Sequence, residues 1–329
     1  MKIRVLNAAD IRRLISMTEA IEVVKEAFVQ LSQKKAQAPL RTALQLSGEG
    51  EAALIMPAFL EKSRALGAKV VTVFPANPKK GLPATQALVL LVDAETGGPL
   101  AIYEGTYLTR LRTGAATGAA TQLLSRPESA TLALFGAGGQ ALAQALGVLA
   151  VREIREVRIF DLLPRRAESL KETLTQEAGS KLKVLKADSA EKAMQEADIL
   201  VTATTSRTPV FPGRALSPGA HINAIGAFTP EMQEVDEETI LRSRLFVDCL
   251  DTCLEEAGDL IIPLKKGLIR REAIQGELGE VVSGKKTGRK TREEITYFKS
   301  VGNAVQDISV AQALFRRALE KGIGAEIEL

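Results

Sequence analysis

The sequence predicts an α/β chain organised on a doubly wound parallel sheet, and three observations carry that prediction. The first is the run ATLALFGAGGQALAQALGVLA at 130–150, which reads as strand, tight glycine turn and helix. The second is an acid, Asp161, at the end of the next strand-like run VRIFD, twenty-three residues after Gly138. The third is the alternation of strands and helices that follows, with short connections that imply βαβ crossovers.

Within the turn the glycines have separate tasks. Gly136 permits the sharp reversal, and Gly138 lets backbone approach a pyrophosphate with no Cβ in the way. Ala141 fills the third position of G-x-G-x-x-G/A, where a small residue lets helix pack closely on strand. The N–H groups at the helix start then face phosphate oxygens. Asp161 is placed to accept hydrogen bonds from an adenosine ribose, so the stretch is expected to bind a dinucleotide.

The rest of the 329-residue chain is consistent with a two-domain globular protein, being 46% hydrophobic. Its 43 basic and 40 acidic residues nearly cancel, and no basic patch interleaved with aromatics points to nucleic acid. Cys249 and Cys253 lie four apart and could share a helix face. Without a second Cys or His pair they make no zinc site, so no metal is expected and the thiols read as packing residues. The start, MKIRVLNAADIRRLI, lacks the apolar core of a signal peptide, and no run approaches eighteen apolar residues. A cytoplasmic location with no membrane partner is expected.

Taken in order, the chain opens with a strand at 3–6 and a helix over MTEAIEVVKEAFVQLSQ, with Thr18 as its expected cap. Strand-like runs follow at 42–46, 53–59, 65–75 and 85–93, separated by proline and glycine turns, which predicts a mixed sheet with long loops. Residues 106–124 are rich in Ala, Thr, Gly and Leu and predict a tightly packed helix, after which Ser125-Arg126-Pro127 reads as the join between domains. Beyond the dinucleotide turn, strands are predicted at 181–187, 198–204, 221–227 and 244–248, with helices from Ala190 and near Glu237. Ligands in such a sheet sit beyond the carboxyl ends of strands, here Thr202–Thr205 and Asn223–Phe228. The last stretch predicts a strand, a glycine turn and a long helix with Val305, Ile308, Ala311, Leu314 and Leu319 near one face, returning to the first domain.

The residues suited to chemistry are cations on apolar or glycine-rich segments. Lys69 sits in GAKVVTVF, the pattern of a buried strand, where an ammonium needs an anionic partner unless it reaches water at the strand end. Such a lysine can bind a carboxylate and, with a lowered pKa, donate a proton. Arg112 in TRLRTGAAT could clamp a carboxylate with two hydrogen bonds or pair with a surface acid, and the sequence alone does not separate it from Arg110. Arg41 is a loop arginine with a weaker signal. His221 is the only histidine and opens a strand, so a lysine or carboxylate is expected to supply acid and base chemistry.

Together these residues resemble the ornithine cyclodeaminase and mu-crystallin family, which also holds one type of alanine dehydrogenase and imine reductases. The resemblance runs through LGAKVV, GLPATQALVLLVDAETGGPLA at 81–101, LTRLRTGAATGAA at 108–120, GAGGQA, INAIGA, EAGDL at 256–260, GELGEVVSGKKTGR at 276–289 and ITYFKSVGNAVQD at 295–307. It implies a Rossmann domain, 119–299, inserted into a discontinuous α+β substrate-binding and dimerisation domain, 1–118 plus 300–329, and hence a homodimer. It also implies Lys69 as catalytic proton donor, Arg41 and Arg112 as carboxylate ligands, Thr85 near substrate and nicotinamide, and Val301 beside the substrate. Gly138, Gly139, Gln140, Asp161, Thr202, Ala224, Ile225 and Ser300 are implied cofactor contacts, and Gly136 of the turn and Arg112 are expected to join them.

One departure is informative. The cyclodeaminases and the related alanine dehydrogenase carry an aspartate after INA-x-G-A/G, where this chain has Phe228. An aspartate can bind or deprotonate a substrate amine and phenylalanine cannot. The resemblance therefore implies a reductase of a cyclic 2-carboxy ketimine, Δ1-pyrroline-2-carboxylate or Δ1-piperideine-2-carboxylate, with Phe228 packing on the ring. Ornithine cyclodeaminase or alanine dehydrogenase, with Glu231 or Glu234 standing in for the aspartate, is the first alternative; a non-catalytic ligand-binding protein like mu-crystallin is the second. Asp161 favours NAD(H), while Arg165 and Arg166 would permit NADP(H) by neutralising a 2′-phosphate.

Overall fold

The computed structural model describes residues 1–48, 50–179 and 181–328. Its strands and helices, in chain order, are β1 Lys2–Leu6, α1 Ala8–Leu14, α2 Met17–Ser32, β2 Ala36–Gln37, β3 Thr42–Gln45, β4 Ala52–Leu60, β5 Ala65–Val73, β6 Thr85–Asp93, β7 Pro99–Glu104 and α3 Gly105–Leu124. Then come β8 Thr131–Phe135, α4 Ala141–Leu149, β9 Glu156–Phe160, α5 Pro164–Ala178, β10 Lys183–Lys186, α6 Ala190–Met194, β11 Ile199–Thr202, β12 His221–Ala224, α7 Glu237–Arg242 and β13 Ser243–Val247. The chain closes with α8 Leu250–Glu256, α9 Gly258–Lys265, β14 Ile274–Glu277, α10 Leu278–Val282, β15 Ile295–Lys299, α11 Ala304–Lys321 and β16 Ala325–Glu328. Contacts divide it into two units, Met1–Thr113 with Asn303–Leu329, and Gly114–Gly302. The first division falls inside α3 and not at Ser125-Arg126-Pro127, because the alanine- and glycine-rich helix runs unbroken up to Leu124.

In the first unit one sheet runs β16-β1-β7-β6-β5-β4-β2, with β3 also pairing β4. Among the described residues of this sheet only β1 and β7 pair in parallel; the other pairs are antiparallel. Period-two alternation decides which residues meet the core. On β5, Ala65, Lys69 and Val71 are buried while Val70 is exposed. The covering element is α11, which packs on β4, β5 and β6 through Val305, Ile308, Ala311, Leu314 and Ala318. Full burial of a side chain such as Ile308 or Leu314 contributes roughly 1.5–3 kcal/mol. Tyr103 ties β7 to the same helix by donating to the Ala311 carbonyl at 2.7 Å. Leu319, expected on this face, is exposed, and Ala318 takes the inward position. The cap of α2 is Ser16 and not Thr18: Ser16 and Glu19 form a reciprocal capping box that starts the helix at Met17.

In the second unit eight strands run β10-β9-β8-β11-β12-β15-β13-β14, every neighbouring pair parallel. Strand order reverses between β8 and β11, the point at which such sheets open a crevice for a ligand. Small residues permit close packing next to it. A Cβ on Gly147 of α4 would stand 2.0 Å from the Gly114 carbonyl oxygen of α3, so these helices meet backbone to backbone. Cys253 is buried on α8 and Cys249 caps that helix; both thiols are free. Among the described residues no helix is long and apolar enough to cross a membrane.

Candidate active site

Lys69 and Arg112 meet one carboxylate, Asp307 in the first turn of α11. Lys69 Nζ donates to Asp307 Oδ2 at 2.7 Å, and Arg112 Nε donates to Asp307 Oδ1 at 2.9 Å. All three are buried, at 1%, 5% and 0% exposure, so two cations share one anion out of water. That leaves an excess positive charge in a medium that solvates it poorly. Burial first, and then repulsion from Arg112, drive the Lys69 pKa down to about 7 against the pull of Asp307, with Arg41 lowering it further. Burial alone would raise Asp307, but Arg112 and Lys69 outweigh it and hold the carboxyl below its ordinary value. A carboxylate ligand is the species that would balance this cluster.

Arg41 is half-buried in the loop before β3 and acts on Lys69 through its charge. Thr85 opens β6 opposite Val73, and alternation along the paired strands places it on the face that carries Lys69.

The glycine turn follows β8. Gly136 has φ 91°, and a Cβ there would lie 2.8 Å from the Ala203 carbonyl oxygen, so glycine is required. At Gly138 an added Cβ would meet nothing within 4 Å, which leaves the approach to the backbone open on the side where a pyrophosphate would lie. Gly139 is exposed beside it. Gln140, the residue before α4, has a buried Oε1 with no partner among the described residues. Asp161 is held against the turn: Oδ2 accepts from Ala137 N at 2.7 Å and Oδ1 from Leu163 N at 2.7 Å. An open turn, an unpartnered acceptor and a positioned carboxylate fit a dinucleotide. Arg165 and Arg166 are exposed in the first turn of α5.

The neighbouring strand ends are fixed by acids that the sequence reading did not assign this task. Glu234 is fully buried, and its carboxylate accepts from Thr202 Oγ1, from Thr204 N and Oγ1, and from Gly226 N and Ala227 N, all at 2.7–3.0 Å. Burial raises its pKa, opposed by Lys299 and supported by Asp259. With five donors engaged, Glu234 holds the loops after β11 and β12. Glu231 is exposed. Ala224 and Ile225 are buried at the end of β12, where Ile225 N donates to the Thr202 carbonyl at 2.9 Å. Ser300 is buried, and its hydroxyl donates to Asp248 Oδ2 at 2.6 Å, an oxygen that Gly302 N also reaches. Val301 lies in the apolar core of this unit and Phe228 packs against the same core.

His221 is buried between Thr296 and Asn223, and burial drives its pKa down to about 3, so it stays neutral and structural. Asp307 is the functional residue that sequence reasoning missed. Its signal was a carboxylate among Val305, Ile308 and Ala311 on the apolar face of the last helix.

The model of the ornithine cyclodeaminase/mu-crystallin family matches residues 1–322. A Δ1-pyrroline-2-carboxylate reductase of Bacillus cereus is 42% identical over 325 residues, 98% of this chain and 99% of that protein. The structure of Thermococcus litoralis Δ1-pyrroline-2-carboxylate reductase in complex with NADH and L-proline has a TM-score of 0.95 at 42% identity, covering 99% of this chain and 100% of that one. An archaeal alanine dehydrogenase dimer with bound NAD has a TM-score of 0.92 at 37% identity, with both chains covered in full. Matched over nearly its whole length, this chain belongs to the ornithine cyclodeaminase/mu-crystallin family.

Proposed function

We propose that the chain is an NAD(H)-dependent reductase that converts Δ1-pyrroline-2-carboxylate to L-proline, with Δ1-piperideine-2-carboxylate and L-pipecolate as the six-membered counterparts. The observation that carries this reading is the buried excess of positive charge at Lys69, Arg112 and Asp307. Arg112 and Arg41 bind the substrate carboxylate. Lys69, with a pKa of about 7, donates a hydrogen bond or its proton to the imine nitrogen and so polarises the C=N bond. NAD(H) supplies the hydride. The dinucleotide is held by Gly136, Gly138, Gly139, Gln140 and Asp161 at the turn, and by Thr202, Ala224, Ile225 and Ser300 at the strand ends. Phe228 offers no carboxylate for an amine, and Glu234 is fully engaged, which disfavours ornithine cyclisation and alanine oxidation. The Bacillus cereus and Thermococcus litoralis relatives carry the reductase name. NADPH is the weaker donor in this reading because Asp161 would repel a 2′-phosphate, with Arg165 and Arg166 reducing the penalty.

The test is a panel of NADH and NADPH oxidation with Δ1-pyrroline-2-carboxylate, Δ1-piperideine-2-carboxylate, and pyruvate plus ammonia, together with L-ornithine and NAD+. Rapid reduction of a cyclic imine with NADH is expected. Rapid release of ammonia from L-ornithine, or turnover only with pyruvate and ammonia, would overturn the assignment, and no turnover with any of them would leave a ligand-binding protein.

The outer face of the first unit's sheet supports a homodimer as part of this reading. Ile55, Val70 and Leu88 stand opposite one another across β4, β5 and β6, at 40%, 47% and 59% exposure, and Leu90 adjoins them. A contiguous apolar face of this kind is suited to association, and a second copy is the proposed occupant, a reading supported by the dimeric state of the archaeal alanine dehydrogenase. Val70→Glu is expected to convert the dimer to a monomer by light scattering.

A further inference from the structure

Gln306 lies immediately before Asp307 in the first turn of α11 and is fully buried. Its Oε1 accepts a hydrogen bond from Arg112 Nη1 at 2.8 Å. That bond fixes the orientation of the amide, because arginine carries only donors and a reversed amide would set donor against donor. The amide nitrogen Nε2 is then left buried with no acceptor among the described residues. Buried polar groups are almost always paired, and an unmade bond at such a site costs stability, so one kept beside a functional cation calls for an explanation. The guanidinium that orients this amide is also half of the positive excess at Asp307. A carboxylate drawn to Arg112 brings up to four acceptor positions next to it, any of which can take an amide N–H.

We propose that Gln306 is a third carboxylate-binding residue beside Arg112 and Arg41: its Nε2 donates to the carboxylate of the 2-carboxy imine, while its Oε1 holds the Arg112 guanidinium in place. This rests on the reading of the site as one for a 2-carboxy imine. The consequence is specificity. The amide is satisfied only when the ligand carries a carboxylate, so an imine without one leaves a buried donor and gains nothing from the site.

Two variants test this. Gln306→Met removes both hydrogen bonds with little change in volume, and Gln306→Glu keeps an acceptor for Arg112 while replacing the donor with an oxygen. NADH oxidation is measured with Δ1-pyrroline-2-carboxylate and with Δ1-pyrroline, which lacks the carboxylate, and pyrrole-2-carboxylate, a planar unreactive carboxylate, is titrated calorimetrically. In both variants the KM for the carboxylated imine and the Kd for pyrrole-2-carboxylate are expected to rise roughly 10- to 100-fold. The loss in kcat/KM for Δ1-pyrroline is expected to be at least about tenfold smaller than for the carboxylated imine, with NADH binding retained, which a general loss of structure would not allow. Equal losses on both imines, an unchanged KM, or a shift that appears in NADH binding would each overturn the proposal. If the wild-type protein reduces neither imine, the functional reading falls and the titration decides this one alone: weaker binding in the variants supports it, while equal binding, or none to the wild type, overturns it.

Discussion

The two units each bury a lysine on a sheet strand, and the two lysines are placed in opposite surroundings. Lys69 on β5 shares the single carboxylate of Asp307 with Arg112, so two cations face one anion. Lys299 on β15 donates to Asp259 Oδ2 at 2.9 Å, and Glu234 stands close enough to feel its charge, so one cation faces two acids. Asp259 is further held by Glu234 N, Val235 N and the Tyr297 hydroxyl. Every lone pair in that network is directed at the protein itself. The comparison teaches that burial of a lysine is not the functional signal; an excess of buried positive charge is, because a carboxylate ligand can meet it, whereas the excess of acid around Lys299 is already met by backbone and hydroxyl donors.

Substituting each lysine by methionine, which keeps the length and removes the charge, breaks the comparison most sharply. Lys299→Met leaves Asp259 and Glu234 without their cation and is expected to destabilise the protein by about 3–5 kcal/mol. Lys69→Met leaves Asp307 paired with Arg112, a balanced pair, and is expected to hold or raise stability. Thermal unfolding of the two variants side by side checks the signs; a larger loss at Lys69 than at Lys299 would refute the charge count.

The pH dependence sharpens it. The folded pKa of Lys69 is about 7, below its ordinary 10.5, so between those values the unfolded chain holds the extra proton. Stability is therefore expected to rise from about pH 7 to 10.5 in the wild type and to lack that rise in Lys69→Met. Imine reduction needs the protonated form, so kcat/KM is expected to fall about tenfold per unit above pH 7. Lys69→Arg, which stays charged, should flatten this limb, and a profile that keeps its alkaline fall would assign it to another group.

The smallest effect concerns the second unit. Asp161 accepts two backbone N–H bonds at the turn and is expected to add the ribose hydroxyls to them. Asp161→Ser is expected to shift the NADH to NADPH preference roughly 10- to 100-fold towards NADPH, the worth of charge-assisted hydrogen bonds. Competition between the two cofactors measures it, and an unmoved ratio would place discrimination elsewhere.

The dinucleotide turn was legible because its physics is local: Gly136, Gly138, Ala141 and Asp161 lie within two strands and one helix. The parallel order of the second sheet was legible from alternation. Lys69 was legible as a cation out of place in an apolar strand. Lys299 carries the same signal in ITYFK and passed unmarked, since only the spatial count of charges separates the two. Asp307 is 238 residues from Lys69, and the donors that occupy Glu234 come from Thr202, Thr204, Gly226 and Ala227. Partners brought together by folding leave no spacing to read. The final strand β16, paired with β1, escaped for the same reason.

The central claim is that Lys69 works on substrate while Lys299 works on structure. It is tested most directly by NADH oxidation with saturating Δ1-pyrroline-2-carboxylate in Lys69→Met, with thermal unfolding showing that the protein is folded. The account predicts a fall in kcat of roughly 10²- to 10⁴-fold, the contribution of a positioned acid, at undiminished stability. Undiminished reduction in the folded variant would contradict it.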